Sequence, residues 1–175
     1  MRTLLISFLL LLAGCGSLAV RSPPGIDLTG TWQLDPARSD SGGLHEHPHD
    51  LDADEGETQG SNGNYARSHT PRPRLPMLTA TEMTIAQDPT SMGIGYPNQP
   101  YRDLKWGKQK HNLYVVESGW DKDRLIVETS STPLHIKETY SLSSDGKTLT
   151  LSVDLKGKGF DSAHIVRVFT RRTTA

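Results

Sequence analysis

Residues 134–155, LHIKETYSLSSDGKTLTLSVDL, decide the fold class. In the first half, Leu134, Ile136, Tyr140 and Leu142 share one parity, and His135, Lys137, Thr139 and Ser141 the other. In the second half, Leu149, Leu151, Val153 and Leu155 alternate with Thr148, Thr150, Ser152 and Asp154. A period of two is that of a strand with one buried face. Between the runs stands Asp145-Gly146. Both residues tolerate the left-handed dihedrals of a tight reversal, so the segment reads as a β-hairpin.

The same pattern extends outward. Short runs at 30–34, 81–87, 92–96, 101–106, 112–118, 124–129 and 165–171 read as further strands, with QDPTS and WDKDR as turns between neighbours. Asp35-Pro36 ends the first strand, because proline has no N–H to give to a ladder. No segment holds a helical period for long. The expected fold is therefore all-β, an antiparallel meander of about eight to nine strands. Such a sheet has two exposed edges, and closing it into a barrel removes them.

One long stretch breaks the pattern. Residues 37–76 are rich in Gly, Ser, Asp and His and almost free of aliphatic side chains. They cannot bury enough apolar surface to offset the cost of ordering, and read as a disordered insertion after the first strand. Within it, HEHPHD holds His45, His47 and His49 at alternate positions beside Glu46 and Asp50. Imidazoles so spaced suit zinc or copper, which makes this loop the one metal candidate; no other cofactor is expected.

The chain begins MRTLLISFLLLLAGCGS: one Arg, a largely apolar run from Leu4 to Ala13, then Gly14 and Cys15. The run is shorter than the about 20 residues that cross a bilayer as a helix, and reads as a secretion signal. Leu12-Ala13-Gly14-Cys15 resembles the lipobox of bacterial lipoproteins. That resemblance implies a signal at 1–14, diacylglycerol and a further acyl chain such as palmitate on Cys15, and a lipidated tether over 15–26. With Gly16 rather than Asp after the cysteine, it implies an outer-membrane lipoprotein facing the periplasm. Cys15 is the sole cysteine, so no internal disulfide is available.

Gly30-Thr31-Trp32 on the first strand and HIVRVFTRR at 164–172 on the last resemble the ends of lipocalin-like barrels. The order of these segments with WDKDRLIVET and the 134–155 hairpin is similar to a widespread set of bacterial secreted and lipoprotein domains with a calycin-type barrel, here spanning 27–175. The resemblance implies that Gly30 allows close approach of the chain, that Trp32 closes the barrel floor, and that an arginine of the last strand packs on its ring. Alternation with Ile165 and Phe169 points to Arg167, with Arg171 as the alternative. A barrel of this size is either filled by side chains or holds one small molecule. Ile136, Tyr140, Leu149, Leu151 and Val153 would line a cavity for a small apolar ligand, or fill it and leave a structural or protein-interaction domain.

Other classes find little support. The net charge is −1, with signs interspersed, which excludes a nucleic-acid binder and a second membrane-surface site. No Gly-x-Ser-x-Gly elbow, His-Glu-x-x-His or phosphate-binding glycine loop is present, so a non-enzymatic protein is expected. MGIGYP reads as a turn at a strand end, and His111, His135 and His164 as surface histidines.

Overall fold

The computed structural model describes residues 17–41, 75–132, 134–157 and 160–172. The opening hairpin is β8 (Leu134–Leu142) and β9 (Thr148–Gly157), with Tyr140 opposite Leu151 and Leu142 opposite Leu149. Gly146 takes φ +70° in its turn, and Asp145 accepts hydrogen bonds from the Lys147 N–H at 3.0 Å and the Ser143 hydroxyl at 2.6 Å.

The remaining strands are β1 (Gly30–Leu34), β2 (Glu82–Gln87), β3 (Ser91–Gly95), β4 (Arg102–Lys105), β5 (Gly107–Lys110), β6 (Tyr114–Asp121), β7 (Arg124–Ser131) and β10 (Phe160–Arg171). A short helix, α1 (Pro76–Thr79), precedes β2. All strand pairs are antiparallel, in the order β4-β3-β2-β1-β10-β9-β8-β7-β6-β5. The two edge strands are thus consecutive in the chain, joined by Trp106 alone. Gly107, at φ +95°, lets the chain bend from β3 on one side to β6 on the other. The Ser118 hydroxyl donates to the Lys105 carbonyl at 2.8 Å across the seam. The result is a nearly closed barrel.

β5 is absent from the sequence reading because Lys108, Gln109 and Lys110 give it no apolar parity; its pairing with β6 holds it. α1 falls at the end of the stretch expected to be irregular. Its Met77 and Leu78 are buried, which is why four residues hold a helical turn.

Inward-facing side chains fill the end of the barrel near the β8–β9 turn. Trp32, Met83, Leu149, Leu151 and Phe169 are all fully buried there. Each such side chain contributes about 1.5–3 kcal/mol by leaving water. At this closed end the guanidinium over Trp32 belongs to Arg171, with Cζ 4.3 Å from the ring centroid. It does not belong to Arg167. Arg171 lies opposite Trp32 in the β1–β10 register, whereas Arg167 lies further along β10, opposite Leu151 of β9. Gly30, at φ +147°, makes room for it: a Cβ there would stand 2.9 Å from Arg171 Nη1.

Residues 17–26, part of the stretch read as a lipidated tether over 15–26, pass against the barrel at its closed end. Ala19 exchanges two backbone hydrogen bonds with Trp120, of 2.8 and 2.9 Å. Ser22 N–H donates to the Pro89 carbonyl at 3.1 Å. Gln87 ties down the next residues, donating to the Ile26 carbonyl at 2.9 Å and accepting from the Leu28 N–H at 3.0 Å. Backbone pairing needs no apolar period, so composition gave no sign of it. Gly119 permits the approach, since a Cβ there would lie 2.8 Å from the Ala19 carbonyl oxygen.

Candidate functional site

At the opposite end of the barrel is a pocket of about 560 Å³. Its walls come from β4, β6, β7 and β8, and its rim from α1, the 96–101 loop and the β5–β6 turn. The volume falls within the range of small-molecule sites, about 300–1,000 Å³. Leu104, Val116, Ile136 and Met77 supply apolar wall.

The wall also carries a buried polar cluster. β8 alternates so that Ile136, Glu138 and Tyr140 point inward, and Glu138 is fully buried. Its carboxylate accepts a bidentate pair from Arg102 of β4, both bonds 2.8 Å, with the Arg102 side chain 24% exposed and the Glu138 side chain 0%. The Tyr140 hydroxyl donates to the same carboxylate at 2.7 Å. A buried carboxylate is tolerated only when charge and lone pairs are so matched. Burial alone would lower the Arg102 pKa, but the facing Glu138 carboxylate outweighs it and raises it.

Tyr96, the residue that follows β3, completes the cluster. It is only 6% exposed, and its hydroxyl has no hydrogen-bond partner. Burial first, and the Glu138 carboxylate second, push its pKa up to about 12. Burial likewise raises Tyr140. At neutral pH both phenols are therefore protonated, and the cluster holds one positive and one negative charge.

Of the five residues expected to line a cavity, Ile136 does so. Tyr140 reaches the pocket through Glu138. Leu149, Leu151 and Val153 are fully buried core residues and are not among those that line the pocket. Arg167 is buried in the middle of the barrel and clamps α1: Nη2 donates to the Ala80 carbonyl at 2.7 Å and Nη1 to the Leu78 carbonyl. These carbonyls at the end of a helix lack partners of their own. Burial without a carboxylate lowers the Arg167 pKa.

The histidines do not converge. His135 contacts Ser130 at 2.9 Å and His164 contacts Asp154 at 2.7 Å, both on the outer face, while His111 stacks on Tyr114 at the pocket rim. Cys15, His45, His47 and His49 lie outside the described residues. Among the described residues no group of three or more His, Cys, Asp or Glu is placed to hold a metal, and no helix is long and apolar enough to cross a membrane.

The signal that marks this site in the sequence is Glu138. It stands on the apolar parity of β8, between Ile136 and Tyr140. Its partner Arg102 lies 36 residues away, in a segment whose alternation gives no hint of the pairing.

No protein-family model and no curated protein matches the chain. Solved structures similar to it include human cRBP IV, at 16% identity and a TM-score of 0.48, covering 83% of this chain and 98% of that one. A mutant of the fluorescent protein UnaG matches at 14% identity and a TM-score of 0.40, covering 53% and 72%. A secretory abundant heat soluble protein of Ramazzottius varieornatus matches at 14% identity and a TM-score of 0.39, covering 52% and 70%.

Proposed function

We propose that this chain is a non-enzymatic, lipid-anchored envelope protein that carries one small, largely apolar molecule in the open half of its barrel. The observation that supports the carrier reading is the division of the interior. Side chains fill the closed end around Trp32, and about 560 Å³ stays open at the other. A barrel serving only as a scaffold would gain stability by filling that space, since voids forfeit packing contacts. The anchor rests on the Leu12-Ala13-Gly14-Cys15 pattern behind an apolar run, with the outer membrane, periplasmic side, as its proposed address.

Titration with N-phenyl-1-naphthylamine, an uncharged apolar fluorophore, tests the carrier reading. Saturable enhancement with one site per chain is expected, lost in Ile136→Trp, which fills the pocket. A wild-type protein that gives no saturable signal would reject it.

A further inference from the structure

The carrier reading leaves open what kind of head group the ligand bears, and the polar cluster bears on that. An exposed guanidinium in an apolar pocket is a receptor for a carboxylate, which it grips with two parallel hydrogen bonds. Here that grip is already taken: Nη1 and Nη2 of Arg102 both hold Glu138, at 2.8 Å each. An incoming carboxylate meets a second carboxylate in a water-poor setting, and displacing Glu138 would strand a fully buried charge. The charge of Arg102 is therefore spent inside the protein.

What the cluster still offers is the Tyr96 hydroxyl. The Tyr96 ring lines the pocket, and its hydroxyl is buried beside Tyr140 and Arg102 without a hydrogen bond of good geometry. A buried polar group in that position gains most from a ligand atom that supplies the missing bond. A phenol both donates and accepts, so a hydroxyl, carbonyl or amide satisfies it without adding charge. Asp103 and Lys105 at the rim bring one charge of each sign and do not tip the balance.

We infer that the pocket selects an apolar molecule with an uncharged hydrogen-bonding head over one with a carboxylate, through the Arg102–Glu138 pair and the unpartnered hydroxyl of Tyr96. This rests on the pocket being a ligand site.

Displacement of bound N-phenyl-1-naphthylamine from the mature chain by 1-decanol, decanamide and decanoate at pH 7.5 tests it. The alcohol and amide are expected to displace the probe at concentrations about tenfold or more below that of decanoate. Glu138→Gln releases the guanidinium and is expected to move the preference toward decanoate by about tenfold or more. Tyr96→Phe keeps the ring and is expected to weaken the two uncharged ligands about fivefold without changing decanoate. Should Glu138→Gln not fold, Tyr96→Phe decides. Decanoate binding as well as or better than the others, or a folded Glu138→Gln with unchanged preference, would overturn the inference. If the probe binds and all three displace it equally, the carrier reading stands and the selection falls. If the probe itself does not bind, both fall.

Discussion

The Cζ atom of Arg171 sits 4.3 Å from the centroid of the Trp32 ring, directly across the β1–β10 ladder. The same guanidinium donates to the carbonyls of Asp27 at 2.9 Å, Gly146 at 2.8 Å and Thr29. One side chain thus joins the N-terminal approach, the first strand, the last strand and the β8–β9 turn.

Arg171→Leu removes the cation–π contact and leaves these carbonyls without partners, so a loss of about 2–3 kcal/mol is expected in urea denaturation. Arg171→Lys recovers little of it, because an ammonium lacks the planar fork. Arg167→Leu leaves Trp32 covered but frees α1, which should appear as new protease cleavage around residues 75–80. Unchanged cleavage there would contradict the clamp assigned to Arg167.

Removing one member of the Arg102–Glu138 pair leaves the other uncompensated. Arg102→Ala is expected to cost about 3 kcal/mol or more, since Glu138 is fully buried. The double variant Arg102→Met with Glu138→Leu should recover most of that loss. A double variant less stable than Arg102→Ala would contradict this account.

The tyrosines predict an alkaline limit. A phenol whose folded pKa is raised adds stability that is complete below the unfolded value, near 10, and is lost as pH rises through the folded one. For Tyr96, pushed up to about 12, the window is pH 10 to 12, and the loss is on the order of 2–3 kcal/mol. Denaturation at pH 9, 10 and 11 should show falling stability, with a shallower fall in Tyr96→Phe. Parallel curves for the two proteins would count against it.

Gly119→Val places atoms where the Ala19 carbonyl and Leu18 now lie, each 2.8 Å from a Cβ position. The first segment should lift from the barrel. Faster amide exchange at Ala19 and Ser22 is the expected readout, with the core strands unaffected.

The proposed lipidation at Cys15 predicts that the mature protein enters the detergent phase of a Triton X-114 separation and takes up labelled palmitate. Cys15→Ala should remove both properties while retaining the barrel. A wild type found wholly in the aqueous phase would reject the anchor.

The barrel was legible where one face of a strand is buried and the other wet. β8 and β9 announce themselves in this way, and Gly30-Thr31-Trp32 marks the strand that meets the last one. β5 was not legible, because its pairing comes from closing the seam at Trp106 rather than from its own side chains. The arginine on Trp32 was ambiguous for a related reason: Arg167 and Arg171 share a parity, and only the register of β10 against β1 distinguishes them. The pocket's chemistry was half visible, in a glutamate at an apolar position. Its cation could not be read, since strand order rather than sequence distance brings β4 and β8 to one cavity.

The segment from Ser17 to Thr29 gives the molecule a direction. It runs under the closed end, fastened at Trp120, Pro89 and Gln87, so the chain enters at one pole and the cavity opens at the other. If Cys15 carries the proposed lipid anchor, the membrane would lie on the side of the Trp32 pole. Under the proposed carrier function the mouth of the pocket would then face away from that surface, and cargo would be exchanged on the far side without the barrel having to turn over.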